Sequence, residues 1–562
     1  MQSIDLFGEK LYFLPLGGCG KFGMNLSVYA LNGKLLVVDI GLSFGSFPGQ
    51  ELLLADPRFL VENKKKIAGI VITHMHEDHI GAVPYIMPLI GDVPIYAAPM
   101  CMSFLREKLT EFDLQDSIRL VTINRDEPFE VADFKIKFLS VPHSVPEAKA
   151  LVISTPFGKV VHTGDWNLDP APLVGSPLSK SNVKAALEGA ESVLAVVCDS
   201  TNVHQSSPEI RESQVREELI KLIKSLKGRR VIFSCFSSNV ARIESCAIAA
   251  REAGRKACLV GRSIKRMERI ASDHGYFTEI NNFADERKIK SEIPERTVLI
   301  CTGSQGEKNS ALYKLADDAH NFLKLEAGDA VVFSARVIPG NEKAIIELQN
   351  KLLDKGVKLI TSDLLPIHAS GHPSREEIKQ LYDWTNPNTI IPVHGDLVNL
   401  FEHATFAEEY GVNHTIVPRN GYAIKLAPGK PELDKSTQFH NGALTVDGNK
   451  LIPLDGAIQN DKVKAVHDGI VFVTMSETDI KDRPYEICEM TFWGLFEPSQ
   501  AAEQEEIRRS IIALFNDMLI QRDRSKDVAS SVEEIAKVAI KKVFSGRRDK
   551  KPVVVSHVLD LF

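Results

Sequence analysis

Residues 74–79, His-Met-His-Glu-Asp-His, place three imidazoles and two carboxylates in six consecutive positions, and no other stretch constrains the fold as tightly. Before it lies Ile67-Ala-Gly-Ile-Val-Ile-Thr73, a short apolar run rich in β-branched residues, which predicts a buried strand. After it, residues 80–89 predict an apolar, partly helical segment. The cluster therefore belongs on a strand-to-helix loop. Neutral imidazole and carboxylate are the donors that suit zinc and similar divalent ions, and His74, His76, Asp78 and His79 on one loop can wrap more than one ion. The competing reading is a solvated histidine-rich loop, which would not need four ligand-type side chains at this spacing. The pattern also differs from the helical H-E-x-x-H of zinc proteases, where two histidines stand one turn apart.

The same design recurs along the chain. Phe134-Lys-Ile-Lys-Phe-Leu-Ser-Val-Pro-His143 alternates with period two and ends on a histidine, and Lys159-Val-Val-His-Thr-Gly-Asp165 ends on an aspartate. Leu194-Ala-Val-Val-Cys-Asp199 and Thr389-Ile-Ile-Pro-Val-His394 are further apolar runs closed by a donor. Donors delivered at the same edge of successive strands would converge on one site. Asp39, at the end of another apolar run, either accepts hydrogen bonds near such a centre or caps a turn. His162 is expected to be structural.

Between the third and fourth of these strands the pattern changes. Arg229–Cys235 leads through the polar turn Phe236-Ser237-Ser238-Asn239 into a helix over 240–253, and the runs at 257–261, 297–301 and 330–334 begin similar βα units. This predicts an α/β domain with a parallel sheet over 210–355, inserted between two parts of a first domain, 1–209 and 356–426. Small polar residues at its helix N-termini suit an anion such as phosphate, but the absence of G-x-x-x-x-G-K-[ST] argues against a nucleoside triphosphatase. Residues 427–448 read as a linker. The remainder, 449–562, predicts a small α+β domain with strands at 463–467, 469–474 and 552–556 and helices near 502–521 and 531–544. Oligomerisation or substrate support is its expected role.

The 562 residues, 44% apolar and 25% charged, describe a soluble multidomain chain. No run of eighteen apolar residues and no basic-then-apolar N-terminus is present, so a cytoplasmic protein without a membrane association is expected. The eight cysteines form no C-x-x-C and suit reduced core thiols. A net charge of −7 does not announce a nucleic-acid binder, and the basic runs at 64–66, 227–230, 262–266 and 547–551 each read first as solvated surface.

Taken in order, Thr73–Gly81, Val141-Pro-His-Ser-Val-Pro146, His162-Thr-Gly-Asp165, Asp199-Ser-Thr-Asn202, Thr302–Glu307, His368-Ala-Ser-Gly-His372 and Pro392-Val-His-Gly395 resemble the ribonuclease J family. That family is a bacterial member of the β-CASP branch of metallo-β-lactamase nucleases. The resemblance covers nearly the whole length. It implies a metallo-β-lactamase αββα sandwich with an inserted β-CASP α/β domain and a small C-terminal α+β domain. It further implies two Zn²⁺ ions per subunit, with Mn²⁺ or Mg²⁺ as substitutes. His74, His76 and His143 would hold one, Asp78, His79 and His394 the other, with Asp165 between them. His372 would be a general acid supported by Asp199, and Ser237, Asn239, His368, Ser370 and Gly371 would receive RNA phosphate groups. The implied activity is two-metal hydrolysis of RNA in its maturation and decay, 5′-to-3′ from monophosphorylated ends and also internally, by a homodimer or homotetramer. Lys21, Lys308 and Asp396 depart from the usual pattern of the family, none at a ligand position. Three other readings compete: a DNA-processing β-CASP nuclease, a small-molecule hydrolase of thioesters or lactams, and an RNA-binding scaffold with structural metals.

Overall fold

Strands Leu11–Gly17 and Leu26–Leu31 are buried along their whole length, which is why they read as unbroken apolar runs instead of alternating ones. They lie inside an eight-stranded sheet whose order is 432–438, 422–427, 11–17, 26–31, 34–38, 67–71, 95–97, 120–122. A second, seven-stranded sheet runs 129–131, 134–140, 149–155, 158–162, 195–199, 389–393, 414–415. These elements come from a computed structural model that describes residues 8–45, 49–124, 127–207, 210–280, 282–289, 292–448, 450–478, 485–521 and 528–559. Phe13, Tyr29 and Val71 of the first sheet and Phe134, Leu151, Val197 and Ile391 of the second share one buried core, so the two sheets form a sandwich. Helix Pro99–Thr110 packs on the first sheet and helices Lys180–Ala186 and Leu397–Tyr410 on the second, giving four layers.

Direction matters more than layering. Strand 149–155 is antiparallel to both 134–140 and 158–162, while 158–162, 195–199 and 389–393 are mutually parallel. Four strands therefore point the same way and end on one edge, each followed closely by a histidine or aspartate. In the other sheet, 34–38 and 67–71 are parallel, so Asp39 and Thr73 emerge side by side.

The insertion is a five-stranded, wholly parallel sheet in the order 256–260, 297–301, 231–234, 330–333, 358–361. Its last strand, Lys358–Thr361, lies just past the expected boundary at 355; only Ile360 in it is buried, so its apolar signal is weak. Two other expectations differ from the structure. Within the supposed linker, Glu432–Gln438 is an edge strand paired antiparallel with Tyr422–Ala427, its polar side chains suiting an edge. Residues 463–467, read as a strand, belong to helix Ala457–Asp468, in which Val463 and Val466 stand three residues apart, the spacing of one helix face, and the helix ends at Gly469 with φ of +76°.

The chain divides into two compact units, Met1–Ser46 with Leu52–Ala443, and Phe47–Glu51 with Leu444–Phe562. In the second, a sheet in the order 485–493, 470–477, 553–559 shares a buried core with helices Ala501–Ile520 and Val528–Arg548. Among the described residues no helix is long and apolar enough to cross a membrane.

Candidate metal centre

Asp39 and Thr73 anchor the donor loop. Asp39 sits at a φ of +62°, outside the usual range for a side chain of its kind, and is held there by what it accepts. Its Oδ1 takes the Thr73 N–H at 2.8 Å and its Oδ2 the Thr73 hydroxyl at 2.9 Å and His79 Nδ1 at 2.7 Å. The last bond leaves His79 Nε2 facing Asp165 Oδ2 at 3.3 Å. Gly41 lets the loop lie this close: a Cβ there would stand 1.6 Å from the Asp78 carbonyl oxygen.

Two donor groups share Asp165. One is His74, His76, His143 and Asp165; the other is Asp78, His79, His394 and Asp165. His76 Nδ1 lies 3.1 Å from both His74 Nε2 and His143 Nε2. Across the site His394 Nε2 lies 3.1 Å from Asp78 Oδ2 and 3.5 Å from Asp165 Oδ2. The outward nitrogens are bound to protein. His143 Nδ1 donates to the Gly371 carbonyl at 2.8 Å, His394 Nδ1 meets the Thr201 hydroxyl at 2.8 Å, and His76 Nε2 meets Ser238 Oγ at 3.1 Å.

These donors fit a cation and little else. With its Nδ1 proton used outward, His143 aims a lone pair at the centre, where His74 and His76 aim theirs, and lone pairs at 3.1 Å repel unless a positive charge lies between them. Donors about 2.0–2.1 Å from a tetrahedral ion stand roughly 3.3 Å apart, close to this spacing. Asp165 supplies a second test: its Oδ1 is buried without a hydrogen-bond partner, and an unpaired buried carboxylate oxygen is costly.

Electrostatics separates the two groups. Burial holds His74 and His143 well below the ordinary imidazole range and His76 down to about 4, so all three are neutral, the form that ligates. Burial also opposes charge on His79 and His394, but Asp165 and its neighbouring carboxylates outweigh it; His79 is raised well above its usual value and His394 to about 9. In the absence of a cation those two imidazoles balance Asp165 and Asp78 with protons. A divalent ion would take over that balance. The residues thus make a divalent-metal site.

His372 stands beside it. Its Nδ1 bonds Asp199 Oδ2 at 2.7 Å, and the other oxygen of Asp199 accepts from the Thr201 N–H at 2.8 Å and hydroxyl at 2.7 Å. His372 Nδ1 is also 3.9 Å from Asp165 Oδ2, so Asp165, Asp199, His372 and His394 form a third potential ligand group. The bond to Asp199 commits that nitrogen to the protein. Burial lowers the His372 pKa and the charge of Asp199 raises it, with a net rise.

The five residues expected at phosphate do not form one pocket. Asn239, Ser370 and Gly371 line a cleft of about 40 Å³ with His143, Asn167 and Arg211, whereas His368 lines a neighbouring cleft of about 280 Å³ with Arg336. Ser237 lines neither. The Asn239 side-chain oxygen caps its own helix by accepting the Arg242 N–H at 2.9 Å, and Ser370 Oγ accepts from Asn202 Nδ2 at 2.7 Å. Sequence reasoning passed over Thr201, Asn202, Ser238 and Arg211 as functional residues. The first two lie in the Asp199–Asn202 motif and Ser238 in the polar turn 236–239, signal enough to single them out, while Arg211 carries none.

A double-sheet sandwich with two histidine-aspartate donor groups on one edge and an inserted parallel α/β domain defines a metallo-β-lactamase-fold hydrolase of the β-CASP type. Residues 36–234 match a beta-lactamase superfamily domain, 228–352 the beta-CASP domain of ribonuclease J, and 364–418 a Zn-dependent metallo-hydrolase RNA specificity domain. Ribonuclease J of Sinorhizobium meliloti is 36% identical across 98% of this chain and 97% of its own, and that of Thermus thermophilus 31% across 98% and 96%. Ribonuclease J 1 of Streptococcus pyogenes is 29% identical across 100% and 99%. The chain belongs to the ribonuclease J family. Among solved structures, a protein of unknown function from Enterococcus faecalis V583 aligns with a TM-score of 0.53 at 15% identity, covering 74% of this chain and 100% of its own, a likeness of fold alone.

Proposed function

We propose that the chain is a cytoplasmic ribonuclease that hydrolyses RNA phosphodiester bonds with two divalent ions, zinc foremost, and works as a homodimer or homotetramer. The observation that carries the reading is the convergence of six donors on the buried, half-unpaired carboxylate of Asp165. His74, His76 and His143 would hold one ion and Asp78, His79 and His394 the other, with Asp165 shared. Bound there, such ions would acidify water and neutralise the charge that builds on the phosphate.

The chain's own residues do the rest. Asp39, Thr201, Ser238 and the Gly371 carbonyl fix the donor rings, so no reorganisation is needed when substrate arrives. His372, held at Nδ1 by Asp199, keeps Nε2 for the departing ribose oxygen, and the charge of Asp199 favours a proton on the ring. Asp199 is fully buried and pinned by Thr201, which suits orientation and charge support, not proton transfer. The cleft of His143, Asn167, Arg211, Asn239 and Ser370 offers amide, hydroxyl and guanidinium groups to a terminal phosphate. A single terminal phosphate seated there would support 5′-to-3′ trimming of monophosphorylated ends beside internal cleavage. A small-molecule hydrolase would leave the insertion and His372 without a task. DNA cleavage is the alternative that the experiment resolves.

His76→Ala and His372→Ala separate the two sets of roles. His76→Ala should lose bound zinc and cleavage together. His372→Ala should keep its metals and bind RNA, yet cleave slower by on the order of a hundredfold or more. Metal analysis and single-turnover cleavage of 5′-monophosphorylated, circular and matching DNA substrates provide the check. Loss of zinc from His372→Ala would mean that this histidine is a ligand, and equal cleavage of DNA would remove the restriction to RNA.

A further inference from the structure

The guanidinium of Arg242 lies fully buried in the first turn of the inserted helix Val240–Glu252, with no direct contact to the metal donors. Its Nε and one terminal nitrogen form a two-pronged pair with Glu212 at 2.6 and 2.7 Å. The other terminal nitrogen donates to the Ser334 carbonyl at 2.7 Å, the Ser334 hydroxyl at 2.8 Å and the Ile367 carbonyl at 3.2 Å. Ser334 Oγ donates to that same Ile367 carbonyl at 2.7 Å. One side chain thus ties together the starts of two helices, the end of strand Ala330–Phe333 and the residue preceding His368-Ala-Ser-Gly-His372.

The far end of that loop is fastened to the other side of the site. Asn202 Nδ2 donates to Ser370 Oγ at 2.7 Å and to the His372 carbonyl at 3.2 Å, and His143 Nδ1 donates to the Gly371 carbonyl. A loop of five residues held at both ends has little freedom, and where His372 sits depends on both fastenings. Only a planar fork can serve Glu212, Ser334 and Ile367 at once; an ammonium in its place has the charge without the geometry. We propose that Arg242, with Glu212, is a positioning residue for the cleavage step. It sets the height of the His372 loop over the metal centre and so aligns the proton donor with the departing oxygen. This rests on the reading of His372 as that donor.

The test uses the full-length, metal-loaded protein and two substrates: 5′-monophosphorylated RNA and a p-nitrophenyl phosphodiester of a nucleoside, whose leaving group departs without a proton. Arg242→Lys should lower kcat on RNA by about ten- to a hundredfold with KM changed less than threefold, and leave cleavage of the nitrophenyl ester within about threefold. His372→Ala, run beside it, should show the same split more strongly. Because a lone Glu212 carboxylate left by Arg242→Met could unfold the domain, the paired variant Arg242→Met with Glu212→Leu is included, since apolar pairs often replace buried ion pairs without loss of stability. It should melt close to wild type yet retain the kcat defect on RNA. If His372→Ala spares the nitrophenyl ester but Arg242→Lys slows both substrates alike, the positioning role is overturned. It is equally overturned if the paired apolar variant recovers wild-type kcat. If His372→Ala slows both substrates, the proton-donor reading itself fails, and the assignment of Arg242 falls with it.

Discussion

His403 shows how a buried residue away from the donors can leave a signature in stability. It is fully buried in helix Leu397–Tyr410, with Nδ1 at 2.8 Å from Ser200 Oγ and Nε2 at 2.7 Å from the Tyr382 hydroxyl. One nitrogen donates and the other accepts, so the neutral ring is satisfied, and a second proton would force the hydroxyl that faces it to turn its own hydrogen away. Burial accordingly pushes its pKa from 6.5 down to about 4. The sign follows. Above the unfolded value neither state takes a proton and the full stability is present; as pH falls through this window the unfolded chain protonates first, and stability is lost until the folded ring titrates as well. The window from 6.5 to about 4 corresponds to at most roughly 3 kcal/mol. His403→Gln should lose stability less steeply than wild type across that interval, as read from urea midpoints at several pH values. Parallel declines would show that His403 takes up its proton inside the fold.

At the level of elements, the donor loop depends on how closely it approaches strand Lys34–Val38 and the turn that follows. The Asn25 N–H donates to the Asp78 carbonyl at 3.0 Å and the Gly41 N–H to Asn25 at 2.9 Å, a packing that tolerates no side chain at position 41. Gly41→Ala should push the Asp78 segment outward, lower zinc content and cut cleavage at least tenfold, at a cost of about 1–3 kcal/mol in stability. Elemental analysis of the purified variant is the measurement, and full zinc occupancy would mean that the loop has another way to accommodate the methyl group. The donors themselves were legible because buried strands are rich in β-branched residues and each breaks off on a histidine or aspartate. What supports them was not. Arg242 becomes informative only when the insertion folds back against the sandwich, a relation that no spacing in the sequence encodes. The edge strand Glu432–Gln438 was hidden for another reason: its Pro, Gly and charged neighbourhood is that of a loop, and backbone pairing with Tyr422–Ala427 overrides that composition.

For the whole molecule, every donor, together with His372 and the clefts beside it, belongs to the unit made by Met1–Ser46 and Leu52–Ala443. A chain ending at Ala443 should therefore fold, bind zinc and cleave RNA, while its assembly drops below that of the full-length protein. Light scattering after size-exclusion chromatography decides this, and an unchanged mass ratio would take oligomerisation away from the C-terminal unit. The sandwich also closes in an order of its own. Asp78 and His394 meet across 316 residues, and the strand that brings His394 slots beside Ala195–Asp199 only after the whole insertion has intervened. A chain still being synthesised thus carries one complete donor group early and lacks the second until residue 394 has left the ribosome. Timing is built into the topology: a hydrolase of RNA stays without its second donor group until a segment 316 residues downstream of Asp78 has been made.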